Sequence, residues 1–240
     1  MTSDATTVSH EVDKTRPVLL VHGFATSARR TWREPGWIDL LTDAGRTVIA
    51  PDLLGHGEAD KPHDVAAYTQ VEDLVRDAMP ADGQVDAVGY SAGARILLAL
   101  ASREPDRFGR LVIGGMGERL FQHREGPSPI VAALEGTGDP DDRVGAHFRD
   151  LASTDGNDPE ALLAFMKREQ WRVDREHVEA ITVPTMVIIG DKDFAGPGDG
   201  LAEALPMGEL VTLRGVDHFG LPKAFDFVEK GLDFLGAAPF

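Results

Sequence analysis

Short apolar runs recur along the chain, each bounded by glycine, proline or aspartate, and between them lie stretches whose apolar residues fall at helical spacing. Six runs read as strands: Pro17 to Val21, Thr47 to Ala50, Val85 to Gly89, Leu111 to Gly114, Met186 to Ile189 and Leu210 to Leu213. Strands this apolar are buried on both faces, so the expectation is a mostly parallel sheet of about six to seven strands flanked by helices. The helical stretches are Trp37 to Asp43, Gln70 to Met79, Ala92 to Arg103, Gly200 to Leu205 and Lys223 to Leu235. In the last of them Phe227, Val228, Leu232 and Leu235 share one face, which marks it as a packing helix. The chain has no internal repeat and no low-complexity tract.

Between Gly115 and Thr182 the alternation breaks down. Gly126 to Pro129, Gly136 to Asp142 and Thr154 to Pro159 are loop-like, and helix-like pieces lie at Val144 to Ala152 and Pro159 to Trp171. This segment reads as a short helical cap, large enough to shape a pocket and too small for an independent domain. The expected organisation is one α/β domain over residues 1–240, with a core of 15–115 and 180–240 and a cap insertion at about 116–179.

Composition changes this picture little. No apolar run approaches the ~20 residues of a membrane span. Met1 to Lys14 lack the basic start and apolar stretch of a signal peptide, so the default expectation is a cytoplasmic protein. The absence of cysteine excludes disulfides, thiol catalysis and cysteine metal sites. A formal net charge of −16 disfavours nucleic acid and anionic lipid as partners. It also slows encounter with anionic substrates unless a local basic group compensates.

The chemistry concentrates at Gly89-Tyr90-Ser91-Ala92-Gly93, which joins the apolar run Val85 to Val88 to a helix rich in alanine and leucine. A serine on a sharp strand-to-helix turn has its hydroxyl lifted clear of the backbone, and flanking glycines let neighbouring elements pack closely. The amide of Ala92, at the helix N-terminus, is then placed to face a developing oxyanion. A serine nucleophile needs an imidazole and a carboxylate to orient it. Both occur after later strands, in Gly190-Asp191-Lys192-Asp193 and in Gly215-Val216-Asp217-His218-Phe219. Asp191 and Asp193 are both candidates for the acid, whereas Asp217 adjoins His218 too closely to point at it.

In these residues, from Leu19 to the final helix, the chain resembles the α/β-hydrolase superfamily. The resemblance implies an esterase- or lipase-like member with the α/β-hydrolase fold and a small cap, in which Ser91 is the nucleophile, His218 the general base and Asp193 the acid. It prefers Asp193 because the family places its acid three residues after the glycine that ends the strand. Val21-His22-Gly23-Phe24 resembles the family's oxyanion loop, which implies that the amides of Phe24 and Ala92 form the oxyanion hole. His22 is then a residue that holds this loop, and no second ligand stands at metal-like spacing from it. Ala50 to Gly57 resembles the family's turn after the second strand, so Asp52 and His56 are expected to be structural. Many relatives carry a serine just after this turn, where the present chain has Glu58-Ala59-Asp60.

The reaction so implied is two-step acyl transfer to water, with no cofactor and no metal. The expected substrate is a small-molecule ester of small or medium apolar acyl groups, lactones included, handled by a monomer or homodimer without nucleic acid or membrane. An aspartate nucleophile, as in the family's haloalkane dehalogenases, is excluded at position 91. Phe24, Trp32, Tyr90, Met116, Phe121, Phe165, Trp171, Phe194 and Phe219 are available as pocket or core residues. Tyr90, Met116, Phe121, Trp171 and Phe219 form the expected substrate pocket. Two other readings stand beside this one. Gly89 to Arg95 also resembles the elbow of the menaquinone-pathway synthase, a lyase in which Arg95 would bind a substrate carboxylate, with Arg29, Arg119 and Arg124 as further candidates; a carbon–carbon hydrolase would use the same triad. The preferred expectation for Arg95 is a salt bridge at the surface or to a loop. The third reading is a ligand-binding member without catalysis, disfavoured by the retention of serine, acid and histidine.

Overall fold

Six parallel strands form the core of the computed structural model, which describes residues 12–122 and 128–238. They are β1 (Val18–Val21), β2 (Val48–Ile49), β3 (Val85–Tyr90), β4 (Phe108–Gly114), β5 (Thr185–Gly190) and β6 (Gly208–Leu213). Their spatial order is β2-β1-β3-β4-β5-β6, and every pair among the described residues is parallel. The chain leaves β1 toward one edge and returns to β3 on its other side, so the strand order reverses between β1 and β3. In open α/β sheets such a reversal leaves a crevice at the carboxyl ends of the strands.

The sheet is covered on both faces, and strand alternation decides which side chain goes where. Leu19, Val21, Val85, Ala87, Leu111, Ile113 and Val187 pack into one cluster with Ile96, Leu97 and Leu100 of α3 (Ala92–Arg103). The same side takes α2 (Val71–Asp77), α7 (Arg175–Glu179) and α8 (Asp199–Ala204), through Val71, Val75, Val178 and Leu201. Val18, Leu20, Val88, Val112 and Ile188 point the other way, onto Trp37 and Leu41 of α1 (Trp37–Asp43) and Phe227 and Leu232 of α9 (Phe225–Phe234). A side chain at Gly231 would run into the Trp37 indole, so the α1–α9 contact needs a glycine there. Each of the large fully buried residues Trp32, Trp37, Phe108 and Phe227 contributes about 1.5–3 kcal/mol or more of transfer free energy.

The segment between β4 and β5 holds α4 (Pro129–Leu134), α5 (Arg143–Ala152) and α6 (Pro159–Lys167), with α4 packing on both α5 and α6. Asp142 and Asp158 start α5 and α6 by accepting backbone N–H groups of the first turn, at 3.0 Å from Val144 and 3.0 Å from Glu160. Two short helices depart from expectation. Pro129 opens α4 at its first turn, where the missing N–H costs nothing, instead of ending a loop; Gly126, Pro127 and Arg124 lie outside the described residues. α7 buries Val178 alone and shows no apolar stripe. It packs on α3 and α8, and so belongs with the helices that cover the sheet. The helix expected to reach Trp171 ends at Lys167, because Arg168 turns to extended backbone (φ −58°, ψ 151°) and is buried. Asn157 ties this segment to the β1 loop by donating to the Ala25 carbonyl at 3.0 Å. Among the described residues no helix is long and apolar enough to cross a membrane.

Candidate active site

The loops that follow β1, β3, β4, β5 and β6 meet at the carboxyl edge of the sheet, because the registers align the ends of these strands. Val21 pairs with Gly89, Tyr90 with Gly114 and Gly190 with Leu213. Ser91 sits directly after β3 with φ 52° and ψ −112°, a conformation that an L-residue holds only at a cost of about 1–3 kcal/mol. Two glycines make the turn possible. A Cβ on Gly89 would lie 2.7 Å from the Ala94 backbone, and one on Gly93 would collide with the carbonyl oxygens of Val21 and His22. α3 therefore enters against both β3 and β1, with its unpaired N-terminal amides, Ala92 among them, beside the Ser91 hydroxyl.

His218 Nε2 lies 2.9 Å from Ser91 Oγ, and His218 Nδ1 lies 2.9 Å from each Asp193 carboxylate oxygen. A carboxylate only accepts, so Nδ1 carries the proton it donates to Asp193, and Nε2 presents a lone pair to the serine hydroxyl. Asp193 is itself held by the Ala195 amide, which donates to Oδ1 at 2.8 Å. Both side chains are buried. The imidazole is packed between two rings, Phe194 at 4.3 Å and Tyr90 at 5.3 Å between centroids. The Tyr90 hydroxyl donates to the His218 carbonyl at 2.8 Å, and burial pushes this phenol's pKa upward.

The other carboxylates near this histidine have different partners. Asp191 accepts from the Gly215 amide at 2.7 Å and so joins the β5 and β6 loops. Asp217 accepts from the Gly220 amide at 2.8 Å within its own loop. Asp52 is used up by the amides of Ala28, at 2.7 Å, and Glu58, at 2.8 Å.

His22 Nε2 accepts from the Leu53 amide at 3.0 Å, so its Nδ1–H donates to the Gly23 carbonyl at 2.7 Å. This pair of bonds fastens the Gly23-Phe24 turn to the loop after β2 and aims the Phe24 segment at the elbow. Burial lowers the His22 pKa and keeps the ring neutral. His56 is buried as well, with its Nδ1 donating to the Leu54 carbonyl at 3.1 Å and its ring edge-on to Phe165 at 4.7 Å. Its pKa falls well below the ordinary value, first through burial and then through His22. Neither histidine reaches Ser91, and no group of three or more metal-ligating side chains occurs among the described residues.

Two cavities open at Ser91 and His218. The smaller, about 430 Å³, is lined by Phe24, Tyr90 and Phe219 and by His147, Phe148 and Leu151 of α5. The larger, about 900 Å³, is lined by Met116, Leu120, Ile130 and Phe194 together with Arg95 and Arg168. Tyr90, Met116 and Phe219 thus line the cavities that open at Ser91 and His218. Phe121 and Trp171 line neither cavity: Phe121 packs against the main core, and Trp171 is half exposed with the Arg103 guanidinium 4.9 Å over its ring.

Arg95 also departs from expectation. It is half-buried and makes no salt bridge among the described residues, with Nη2 donating to the Trp171 carbonyl at 3.1 Å. Arg29 is exposed, reaches Glu34 at 3.5 Å and lines neither cavity. Phe148 and Arg168 were not foreseen in the site. Phe148 lies on the apolar face of the amphipathic α5, a pattern legible in sequence, but nothing in the sequence says that this face meets Phe24 and Phe219.

A family model described as alpha/beta hydrolase fold matches residues 16–119. The pimeloyl-[acyl-carrier protein] methyl ester esterase of Neisseria meningitidis is 28% identical over 260 residues, spanning 92% of this chain and 95% of the relative. The 2-hydroxy-6-oxo-2,4-heptadienoate hydrolase of Pseudomonas putida is 35% identical over 125 residues, which is 49% of this chain and 43% of that enzyme. Among solved structures, the enol-lactonase of Burkholderia xenovorans superposes with a TM-score of 0.68 at 23% identity over 92% of both chains. The 2-hydroxy-6-oxo-6-phenylhexa-2,4-dienoate hydrolase of a Rhodococcus strain gives 0.67 at 19% identity, over 95% of this chain and 92% of that one. With this sheet order, an elbow serine after β3 and the family-model match over residues 16–119, the chain has the α/β-hydrolase fold.

Proposed function

We propose that this protein is a serine hydrolase of carboxylic esters, lactones included, and that Ser91, His218 and Asp193 are its catalytic residues. The observation that carries the reading is the unbroken hydrogen-bond chain from Ser91 Oγ through the His218 ring to Asp193, placed where two cavities meet. Ser91 Oγ bonds to the ester carbonyl carbon as His218 Nε2 takes the hydroxyl proton. The carbonyl oxygen becomes an oxyanion facing the amides of Phe24 and Ala92. The bond to the alcohol oxygen then breaks, and His218 returns its proton to that oxygen. Water attacks the acyl-enzyme in the same way, releasing the acid and restoring the serine. Asp193 stabilises the imidazolium formed in each half and holds its tautomer.

The chemistry uses a small-molecule ester and water, and needs no metal or organic cofactor. The reading keeps one domain with residues of about 116–179 as the cap, a cytoplasmic location, and a monomer or homodimer. The N. meningitidis relative, a methyl ester esterase over the same span, supports ester cleavage. The match of half the chain to a dienoate hydrolase favours a second reading, in which the same three residues cleave a carbon–carbon bond, as a hydrolase or a lyase related to the menaquinone-pathway synthase.

Hydrolysis of p-nitrophenyl esters from acetate to octanoate, by wild type and Ser91→Ala side by side, tests the proposal. Turnover by the wild type alone supports it, and equal rates in both proteins sink the nucleophile assignment. Silence across the series, with a phosphonate still labelling Ser91, moves the assignment to the carbon–carbon reading.

A further inference from the structure

Tyr90 ends β3 one residue before Ser91, and its ring touches three of the loops that build the site. One edge lies against the loop after β1, so closely that a Cβ on Gly23 would stand 2.7 Å from Cδ1. The opposite edge lies against the loop after β4, where a Cβ on Gly115 would stand 3.1 Å from Cε2. Two glycines thus leave a gap that the ring fills. Beside it stands the His218 imidazole, with its plane tilted 37° to the phenol. Tyr90 is 6% exposed, and its hydroxyl donates its one proton to the His218 carbonyl at 2.8 Å. Burial, with the Asp193 and Asp217 carboxylates adding to it, raises the phenol pKa and keeps that proton in place.

The loop that carries His218 is joined upstream to the β5 loop, by the Gly215 amide on Asp191 and by the Lys192 amide on the Val216 carbonyl at 3.1 Å. Downstream, the Gly220 amide turns back on Asp217 within the loop itself. Among the described residues, the other donor to the His218 carbonyl is the Leu221 amide, three residues on, at 3.4 Å. The phenol hydroxyl therefore ties the His218 backbone to the strand that carries the elbow. Alignment of Nε2 on Ser91 Oγ depends on that backbone, and small displacements of reacting groups lower rates steeply.

We propose that Tyr90 is a positioning residue for His218: its ring spaces the loops after β1 and β4, and its hydroxyl fixes the His218 backbone so that Nε2 meets Ser91 Oγ. The ring lines the smaller cavity, but the phenol proton is committed to the protein. Tyr90 thus acts on the rate of proton transfer and leaves the choice of acyl group to other residues. This inference rests on the reading of Ser91 and His218 as nucleophile and base.

Tyr90→Phe removes the hydroxyl and leaves the ring in its gap. Wild type and variant are compared on the p-nitrophenyl series at a temperature where thermal melts show both folded. In the variant kcat falls about tenfold, equivalent to ~1.4 kcal/mol. KM stays within about twofold and the order of chain-length preference is unchanged. A phenol that bound substrate would raise KM or reorder the series. Either result overturns the proposal, as does a wild-type kcat.

The rate at which a fluorophosphonate labels Ser91 tests the same point without an ester, because labelling also needs His218 to take the serine proton. It falls about tenfold in Tyr90→Phe, in step with kcat. If no ester in the series turns over and this difference in labelling persists, the positioning role stands and only the ester reading fails. Equal labelling rates overturn the proposal whatever the esters do. A wild type that neither hydrolyses nor labels sinks the nucleophile assignment, and the role of Tyr90 with it.

Discussion

Asp193 offers both carboxylate oxygens to Nδ1 of His218 at 2.9 Å, while Asp191, two residues earlier, turns away to accept the Gly215 amide. The two acids therefore have different work. Asp193→Asn should lose about 10⁴-fold in kcat, because an amide can donate to Nδ1 and hold the ring in the wrong tautomer. Asp191→Asn should keep activity within about tenfold and lower stability by about 0.5–1.5 kcal/mol, the worth of one hydrogen bond. Steady-state kinetics and thermal melts of the two variants check this, and the reverse order of activities would move the acid to Asp191.

Ser91 is strained at φ 52°, and this strain is separable from its chemistry. Ser91→Ala should abolish ester turnover with a melting temperature close to wild type, since alanine bears the same backbone cost. Ser91→Gly should be just as inactive yet melt higher than Ser91→Ala, because glycine relieves about 1–3 kcal/mol of strain against about 1 kcal/mol or less of added chain entropy. Scanning calorimetry of both variants decides it, and a lower melting temperature for the glycine variant contradicts the strained-elbow account.

Gly93 sets how closely α3 approaches β1. A methyl group there meets the Val21 and His22 carbonyl oxygens, both backbone atoms that have no room to yield. Gly93→Ala should cost about 1–3 kcal/mol by overpacking and, by shifting the elbow, should lower kcat. Denaturant melts read the first effect, and wild-type stability in this variant would refute the steric argument.

Acid should weaken the fold before the ordinary carboxylates titrate. His22 and His56 are held neutral by burial, with folded-state pKa values below the 6.5 of a free imidazole. Their contribution is complete above that value and is lost as pH falls through it toward the folded-state values, because the unfolded chain then binds protons that the folded chain refuses. His63 has the opposite sign: Asp158 raises its pKa, so its contribution holds below 6.5 and fades as pH rises through the folded value, and its exposure keeps it small. Melting temperatures should fall between about pH 7 and pH 5 in wild type, and fall less in His56→Gln, which removes one of the two buried titrating groups. An equal slope in both proteins would show that His56 is not a source.

The linear pattern carried the strands well. All six apolar runs are strands, the four inner ones largely buried and the edge strands β2 and β6 only partly, because a parallel strand needs only local apolar continuity with a breaker at each end. α1 and α3 have the expected limits for the same local reason: Gly36 and the elbow start them, and their apolar residues keep helical spacing. Two short helices were less legible. α4 and α7 are five or six residues long and take their order from packing, with α7 showing a single buried residue.

The sequence by itself determined the elbow and the order of serine, acid and histidine, since a strand, a sharp turn bracketed by glycines and a helix are fixed by neighbours a few residues apart. The tertiary structure decided which carboxylate meets His218, that Trp171 and Phe121 stand away from the cavities, and that Arg95 and Arg168 face one space. Ser91 and His218 are 127 positions apart and meet only because parallel strands end at one edge of the sheet. The direction of a side chain at such a meeting depends on packing from elements distant in sequence, and no local pattern encodes it.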